Sequence, residues 1–337
     1  MQILLSHGAG GELMNRLIAD SILKNLSVRS LGEVGLSDLD DGASISIGDK
    51  EIVISTDSYI VSPIFFPGGD IGKLAACGTI NDISMMGARP IALSLAIIIE
   101  EGFETSELER IIRSMDEICK NTEVPVITGD TKVMQKGKID RIVITTTGVG
   151  IAERGKVIKD ANLSPGDKII LSGTVGDHGV SLLSFREGFG FETTLQSDVA
   201  SLWHMVEKAM EVGGITAMRD PTRGGIASTL NDWAHKSNTG IIIYEEKIPL
   251  LPEVAAASRM LGIDPYTVAS EGKAVIGVRA DKAGEMLSVL RSTEQGKNAE
   301  IIGEVINKYN GKVILETIVG GRRIMQPPVG DPVPRVC

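Results

Sequence analysis

Along the first half of the chain, short β-branched apolar runs alternate with stretches of helical periodicity. EIVIST (51–56), IALSLAIII (91–99), VPVIT (124–128) and RIVITTTGVGIA (141–152) read as buried strands, each short, apolar and rich in Ile, Val or Thr. Two helices are predicted between them, the first over about 71–86. The second, SELERIIRSMDEICK, opens on Ser106 with Glu109 three residues later, the pattern of a capping box. Its apolar positions Leu108, Ile111, Ile112, Met115, Ile118 and Cys119 fall on one helical face, which assigns Cys119 to the core. Cys77 shares the first helix with Ile71, Leu74 and Ala75 and takes the same assignment.

The run ERGKVIKDANLSPGD (153–167) is polar and turn-rich, as a domain junction is. Beyond it KIILSG (168–173), GIIIYEEKIPL (240–250), KAVIGVRA (273–280), AEIIGEVI (299–306) and GKVILET (311–317) predict strands, with helices near 178–188 and 198–211. MQPPVGDPVP (325–334) then leads to Arg335, Val336 and Cys337. The predicted architecture is two mixed α/β domains, 1–152 and 153–323, with a flexible Pro-rich tail over 324–337 too poor in apolar residues to join a core.

The 337-residue length suits two domains. With 42% hydrophobic and 4% aromatic residues, the cores must be built from Ile, Val, Leu, Met and Ala. A formal charge of −10 argues against a nucleic-acid partner, since that affinity rests on Lys and Arg neutralising phosphates. The longest apolar run, near 91–99, is about half a membrane span, and the N-terminus lacks the basic and apolar segments of a secretory signal. Cys77, Cys119 and Cys337 form no CxxC pair, so neither a zinc knuckle nor a disulfide framework follows. The expected home is the cytoplasm, with no membrane partner.

Candidate chemistry gathers on carboxylates. Asp38, Asp40 and Asp41 in SDLDDGA, Asp57 in STDS, Asp82 in TINDIS and Asp130 in TGDTK stand just past strands or at helix ends, where sheet enzymes expose ligand groups. Carboxylates meeting at one point need a cation, and Mg²⁺ bridging phosphates suits such a set. Taken singly, each Asp reads first as a turn or cap residue. SHGAGG (6–11) runs into a helix, so Gly10 and Gly11 are candidates to hold phosphate oxygens through backbone N–H groups, though no nucleotide fingerprint is matched. In RDPTRGG (219–225), Asp220 reads either as a helix cap ahead of Pro221 or as a ligand, with Arg223 aimed at the same turn. His7 and His178 lie in glycine loops as weak phosphate candidates, and His204 and His235 read as surface or packing residues.

The succession DDGA, STD, ND-x₃-MGA and GDTK resembles the PurM-type ATP-binding superfamily over nearly the whole chain. With HGAGG, PGGDIGKLAACGTINDISMMGA, GDHG, RDPTRGG and the closing PRVC, the chain resembles, within that superfamily, the HypE family of hydrogenase maturation proteins. The resemblance implies a PurM-like two-domain fold, a homodimer formed through the N-terminal sheet, and ATP near the dimer interface. It also implies an ATP-dependent carbamoyl dehydratase, converting a thiocarboxamide on Cys337 to a thiocyanate that supplies cyanide to [NiFe]-hydrogenase iron. HypF would load the carbamoyl group and a HypC–HypD complex would receive the cyanide. Carried over by motif, Asp41, Asp57, Asp82 and Asp130 hold Mg²⁺–ATP, Lys132 neutralises phosphate or amide charge, and Glu271 in SEGK is the base. A structural Lys132–Glu271 ion pair is the alternative. The rival functions are a small-molecule kinase or synthetase of the superfamily, and an ATP-binding scaffold whose tail is a partner peptide.

Overall fold

The computed structural model describes residues 2–8, 10–186, 194–330, 333 and 335–337. A short helix, Glu12–Leu17 (α1), follows the N-terminal glycines, and Ala43–Ile47 (β1) pairs with Lys50–Tyr59 (β2). β2 shows the alternation of a strand covered on one face: Glu51, Val53, Ser55 and Tyr59 are buried and the residues between them are not. A small hairpin of Phe65–Phe66 (β3) and Gly69–Asp70 (β4) leads into Ile71–Met85 (α2), which Asp70 caps by accepting from the Gly72 and Lys73 amides. Arg89–Glu100 (β5), Thr105–Thr122 (α3), Val126–Met134 (β6) and Ile142–Glu153 (β7) complete a sheet ordered β1-β2-β7-β5-β6, with α2 and α3 on one face. Only β5 and β6, joined through α3, run parallel.

The second sheet comprises Lys168–Leu171 (β8), Ile215–Arg219 (β9), Gly240–Tyr244 (β10), Val275–Val278 (β11), Glu300–Ile306 (β12), Lys312–Glu316 (β13) and Arg322–Met325 (β14). Their order is β14-β13-β10-β12-β8-β11-β9. Between them lie Asp177–Arg186 (α4), Trp203–Val212 (α5), Gly225–Lys236 (α6), Pro252–Leu261 (α7) and Ala283–Arg291 (α8). Met205, Val206, Met286 and Leu290 of α5 and α8 pack on one face against Ile170 and Ile276, while Ile226, Leu230 and Trp233 of α6 pack on the other against Ile169 and Ile241. A third apolar cluster runs from α2 and α3 to Val180, Val199, Trp203 and Val268, joining the two halves.

Three expectations need correction. β6 is not a buried strand: all its residues are exposed, because it is the sheet edge and a short apolar run does not tell edge from centre. Ser106 does not cap α3; the cap position is Glu104, which makes no side-chain cap bond, and Ser106 lies inside the helix. The tail does not begin free at 324, since Ile324 and Met325 belong to β14. Nor does the rest stay out of the core, since Val333 and Val336 are buried in the cluster between the halves. A few spaced apolar side chains are too little to build a core but enough to fill gaps in one already formed.

Candidate active site

The covered face of the first sheet and the β9–α6 turn of the second bring four aspartates into one electrostatic neighbourhood. Asp57 lies on β2 facing α2, Asp82 in the last turn of α2, Asp41 just before β1, and Asp220 just after β9. Ser55 Oγ donates to Asp82 Oδ2 at 2.6 Å. Arg219 Nε meets Asp41 Oδ1 at 2.9 Å, and Arg223 Nη2 lies 3.7 Å from Asp57 Oδ1. Burial pushes the Asp82 carboxyl well up, and Asp220, Asp57 and Asp41 push it further. Burial also raises Asp41 well above the ordinary range against the pull of Arg219, and raises Asp57 against that of Arg223. Asp220 is pushed up to about 7 by burial, with Arg219 opposing. Four carboxyls thus share two guanidiniums, Arg219 and Arg223.

Glu271 completes the cluster. The side chain is buried and its Oε1 has no hydrogen-bond partner among the described residues. Burial first, then Asp220, Asp198 and Asp57, raise its pKa far above that of a free glutamate. Its backbone is fixed from both halves: the amide donates to Asp198 Oδ1 at 3.0 Å and the carbonyl accepts from Asn81 Nδ2 at 3.4 Å. Lys273 Nζ holds Asp198 from the other side at 3.0 Å. Gly272 is required here, because a Cβ would stand 1.9 Å from the Asp198 carbonyl oxygen.

The end of the chain lies in the same place. His178 Nε2 is 2.7 Å from the Val336 carbonyl, Arg186 Nη2 donates to the Arg335 carbonyl at 2.5 Å, and Arg335 Nε donates to the Ile60 carbonyl at 3.1 Å. Cys337 is half-buried against the cluster between the halves. Its charge is the leading influence raising the Arg223 pKa, ahead of the opposing effect of burial and the further help of Asp57 and Glu271. Arg223 is thus under the charge of Cys337 as well as that of Asp57, its ion-pair partner.

Of the residues picked from sequence, Asp41, Asp57, Asp82, Asp220, Arg223, Glu271 and Cys337 converge. Gly10 is adjacent: its backbone has φ +75°, and a Cβ there would lie 2.6 Å from Arg223 Cβ. Gly11 packs instead on Pro328, whose carbonyl oxygen a Cβ would approach to 2.3 Å. Asp130 and Lys132 do not join within this chain. They pair with each other at 2.8 Å on the exposed edge strand, and β7 and β5 separate them from β2, roughly 14 Å across three inter-strand spacings. Lys132 thus makes no ion pair with Glu271, and it holds the Asp130 carboxyl below its ordinary range. Asp220 caps no helix, because α6 starts at Gly225 with Gly224 in the cap position. His178 is buried in α4 and holds the tail, and His7 is buried beside Leu4.

Sequence reasoning missed the supports. Asp160 accepts from Trp233 Nε1 at 2.6 Å, Lys236 Nζ at 2.8 Å and Arg219 Nη1 at 3.1 Å, and Lys236 also reaches Asp40 at 2.6 Å. This network ties the DD pair to α6 and β9. Arg219 stands inside the quoted RDPTRGG, but nothing in a sequence marks Asp160 or Lys236 as its partners. Among the described residues, no three His, Cys, Asp or Glu side chains converge tightly enough to ligate a metal ion by themselves. The spread carboxylates fit a cation that takes one or two protein oxygens and fills its shell from phosphates and water.

Two domain families define the class. Residues 39–152 match the AIR synthase related protein, N-terminal domain, and residues 164–316 its C-terminal domain. The carbamoyl dehydratase HypE of Azotobacter vinelandii is 44% identical over 332 residues, 98% of this chain and 96% of that one. A chain in a crystal structure of a HypE–HypF complex superposes with a TM-score of 0.86 at 44% identity, covering 94% of this chain and 100% of that one. HypE crystallised in complex with ATP gives a TM-score of 0.83 at 40% identity over 100% of both chains. The chain belongs to the HypE family of carbamoyl dehydratases.

Proposed function

We propose that this protein dehydrates a carbamoyl group carried as a thiocarboxamide on Cys337 to a thiocyanate, using Mg²⁺–ATP, to supply cyanide for [NiFe]-hydrogenase iron. The observation that carries the reading is that the arm is docked in the seam between the two halves: Cys337 packs on the apolar cluster there, and its charge acts on Arg223, which also faces Asp57. A kinase or synthetase acting on a free small molecule leaves that seat without a use. The relatives named carbamoyl dehydratase and the neighbour crystallised with ATP support the same reading.

Asp41, Asp57, Asp82 and Asp220 would hold Mg²⁺–ATP, with Arg223 and the Gly10 and Gly11 backbone at its phosphates. Bound ATP supplies the phosphoryl group that makes the amide oxygen a leaving group. Cys337 carries the carbon as R–S–C(=O)–NH₂. Glu271, a carboxyl kept basic by burial and acidic neighbours, would take one N–H proton, and the second would leave with the phosphate oxygen as the nitrogen lone pair completes the C≡N bond. The net change is R–S–C(=O)–NH₂ plus ATP to R–S–C≡N plus ADP and phosphate.

Asp130 and Lys132 enter this scheme through a homodimer. The first sheet leaves its second face open, with Ile54, Thr56, Thr145, Thr147 and Ala96 none of them buried. Pairing two copies over that face brings each edge strand toward the other copy's cluster, where Lys132 would neutralise phosphate or amide charge. HypF as the loading partner is supported by the neighbour solved as a HypE–HypF complex, and a HypC–HypD complex is the proposed acceptor. Residues 326–337 serve as the arm between partners, with a reach of roughly 35 Å if fully extended.

The test is phosphate release. ATP turnover should require a carbamoylated tail and should vanish in Cys337→Ala. Turnover that survives deletion of 326–337 contradicts the reading and favours a small-molecule kinase.

A further inference from the structure

His178 is fully buried, and each polar atom of its ring is engaged. A carbonyl oxygen only accepts, so the 2.7 Å contact to Val336 puts the proton on Nε2. Nδ1 is then the acceptor and takes the Ser197 hydroxyl proton at 2.7 Å. Ser197 Oγ accepts in turn from the Val199 amide at 3.1 Å, and the edge of Phe66 meets the ring at 5.4 Å and 88°. The body of the protein fixes the ring's orientation, and the tail carbonyl selects its tautomer. Its remaining N–H points at the only carbonyl that leads directly into Cys337. With the tail withdrawn that donor would be left in an apolar pocket without a partner, a costly state.

We propose that His178 is the positioning residue for Cys337. It holds the Val336–Cys337 peptide so that a group on the sulfur starts from one fixed point in the seam between the two halves. The inference rests on the dehydratase reading above. Recognition runs through two consecutive main-chain carbonyls, at Arg335 and Val336, both gripped from α4. Register is thereby set by backbone count, and the buried Val336 side chain supplies the apolar fit. Release of the arm breaks the Nε2 bond together with the Arg335 contacts and the Val336 burial.

The test uses full-length protein and iodoacetamide, with alkylation of the C-terminal peptide followed by mass spectrometry. Cys77 and Cys119 are buried and serve as internal controls. His178→Ala should speed Cys337 alkylation about tenfold, the scale of one lost hydrogen bond, and His178→Gln, which restores a donor, should return it toward the parent rate. Val336→Ser weakens docking from the tail's side while leaving His178 in place, and should give an increase in the same direction. In both undocked variants carbamoyl loading should be undiminished while water loss slows about tenfold, a split that general destabilisation does not produce. Parental alkylation rates in both His178→Ala and Val336→Ser overturn the inference and leave the dehydratase reading intact. A parent protein that loads but never loses water overturns that reading, and the alkylation comparison still stands.

Discussion

Single residues carry the site by being denied what carboxylates ordinarily have. Asp220 is buried beside other acids, and its pKa stands at about 7 against an ordinary 3.8. The folded state thus binds its proton more tightly than the unfolded state, so stability contributed by the proton is complete at acid pH and falls as pH rises from about 4 to about 7. Asp220→Asn should therefore be more stable than the parent at pH 8 without nucleotide, by roughly 1–3 kcal/mol, and equal to it near pH 4. Urea denaturation at the two pH values checks this; equal stability at both removes Asp220 from the repelling cluster. How legible such residues were in the sequence depends on their neighbours. Asp41, Asp57, Asp82 and Glu271 were visible because short motifs surround them. His178 was visible only as a loop histidine, because its partners Ser197 and Val336 lie 19 and 158 residues away.

At the scale of elements, strong periodicity translated well and chain-end chemistry did not. The apolar face of α3 formed as its spacing required, with Ile111, Met115 and Cys119 buried. The capping box at its start did not, since capping is decided by one or two backbone angles that spacing does not fix. β9, which ends on Arg219, escaped notice because GITAM is short and weakly patterned, and the helix expected at Pro221 forms only from Gly225 as α6. β6 was legible as a strand and illegible as an edge. The segment holding Glu271 makes a sharp prediction of its own. Gly272→Ala should cost roughly 2–4 kcal/mol in thermal or urea unfolding, because its Cβ would collide with the Asp198 carbonyl rather than with a flexible side chain. A loss below about 0.5 kcal/mol would mean that the loop moves freely and does not fix Glu271.

For the whole molecule, the apolar cluster between the two halves is completed by the chain's own end, through Val333 and Val336. An arm that docks there and also reaches outside partners must alternate between two states, which Pro-rich stiffness and a few apolar anchors permit. The Asp130–Lys132 pair, remote from the cluster within one chain, predicts a second copy: light scattering at micromolar concentration should give a dimer, and a monomer would leave both residues without a role at the site. The central claim is that Cys337 carries the group being dehydrated. Intact mass spectrometry of the protein, after loading by its transferase and addition of Mg²⁺–ATP, tests it most directly. The parent should gain one carbamoyl group on the C-terminal peptide and then lose one water. Glu271→Gln should gain the group and lose water at least about 100-fold more slowly, and Cys337→Ala should gain nothing. A Cys337→Ala protein that still yields a dehydrated, cyanide-bearing product would contradict the account.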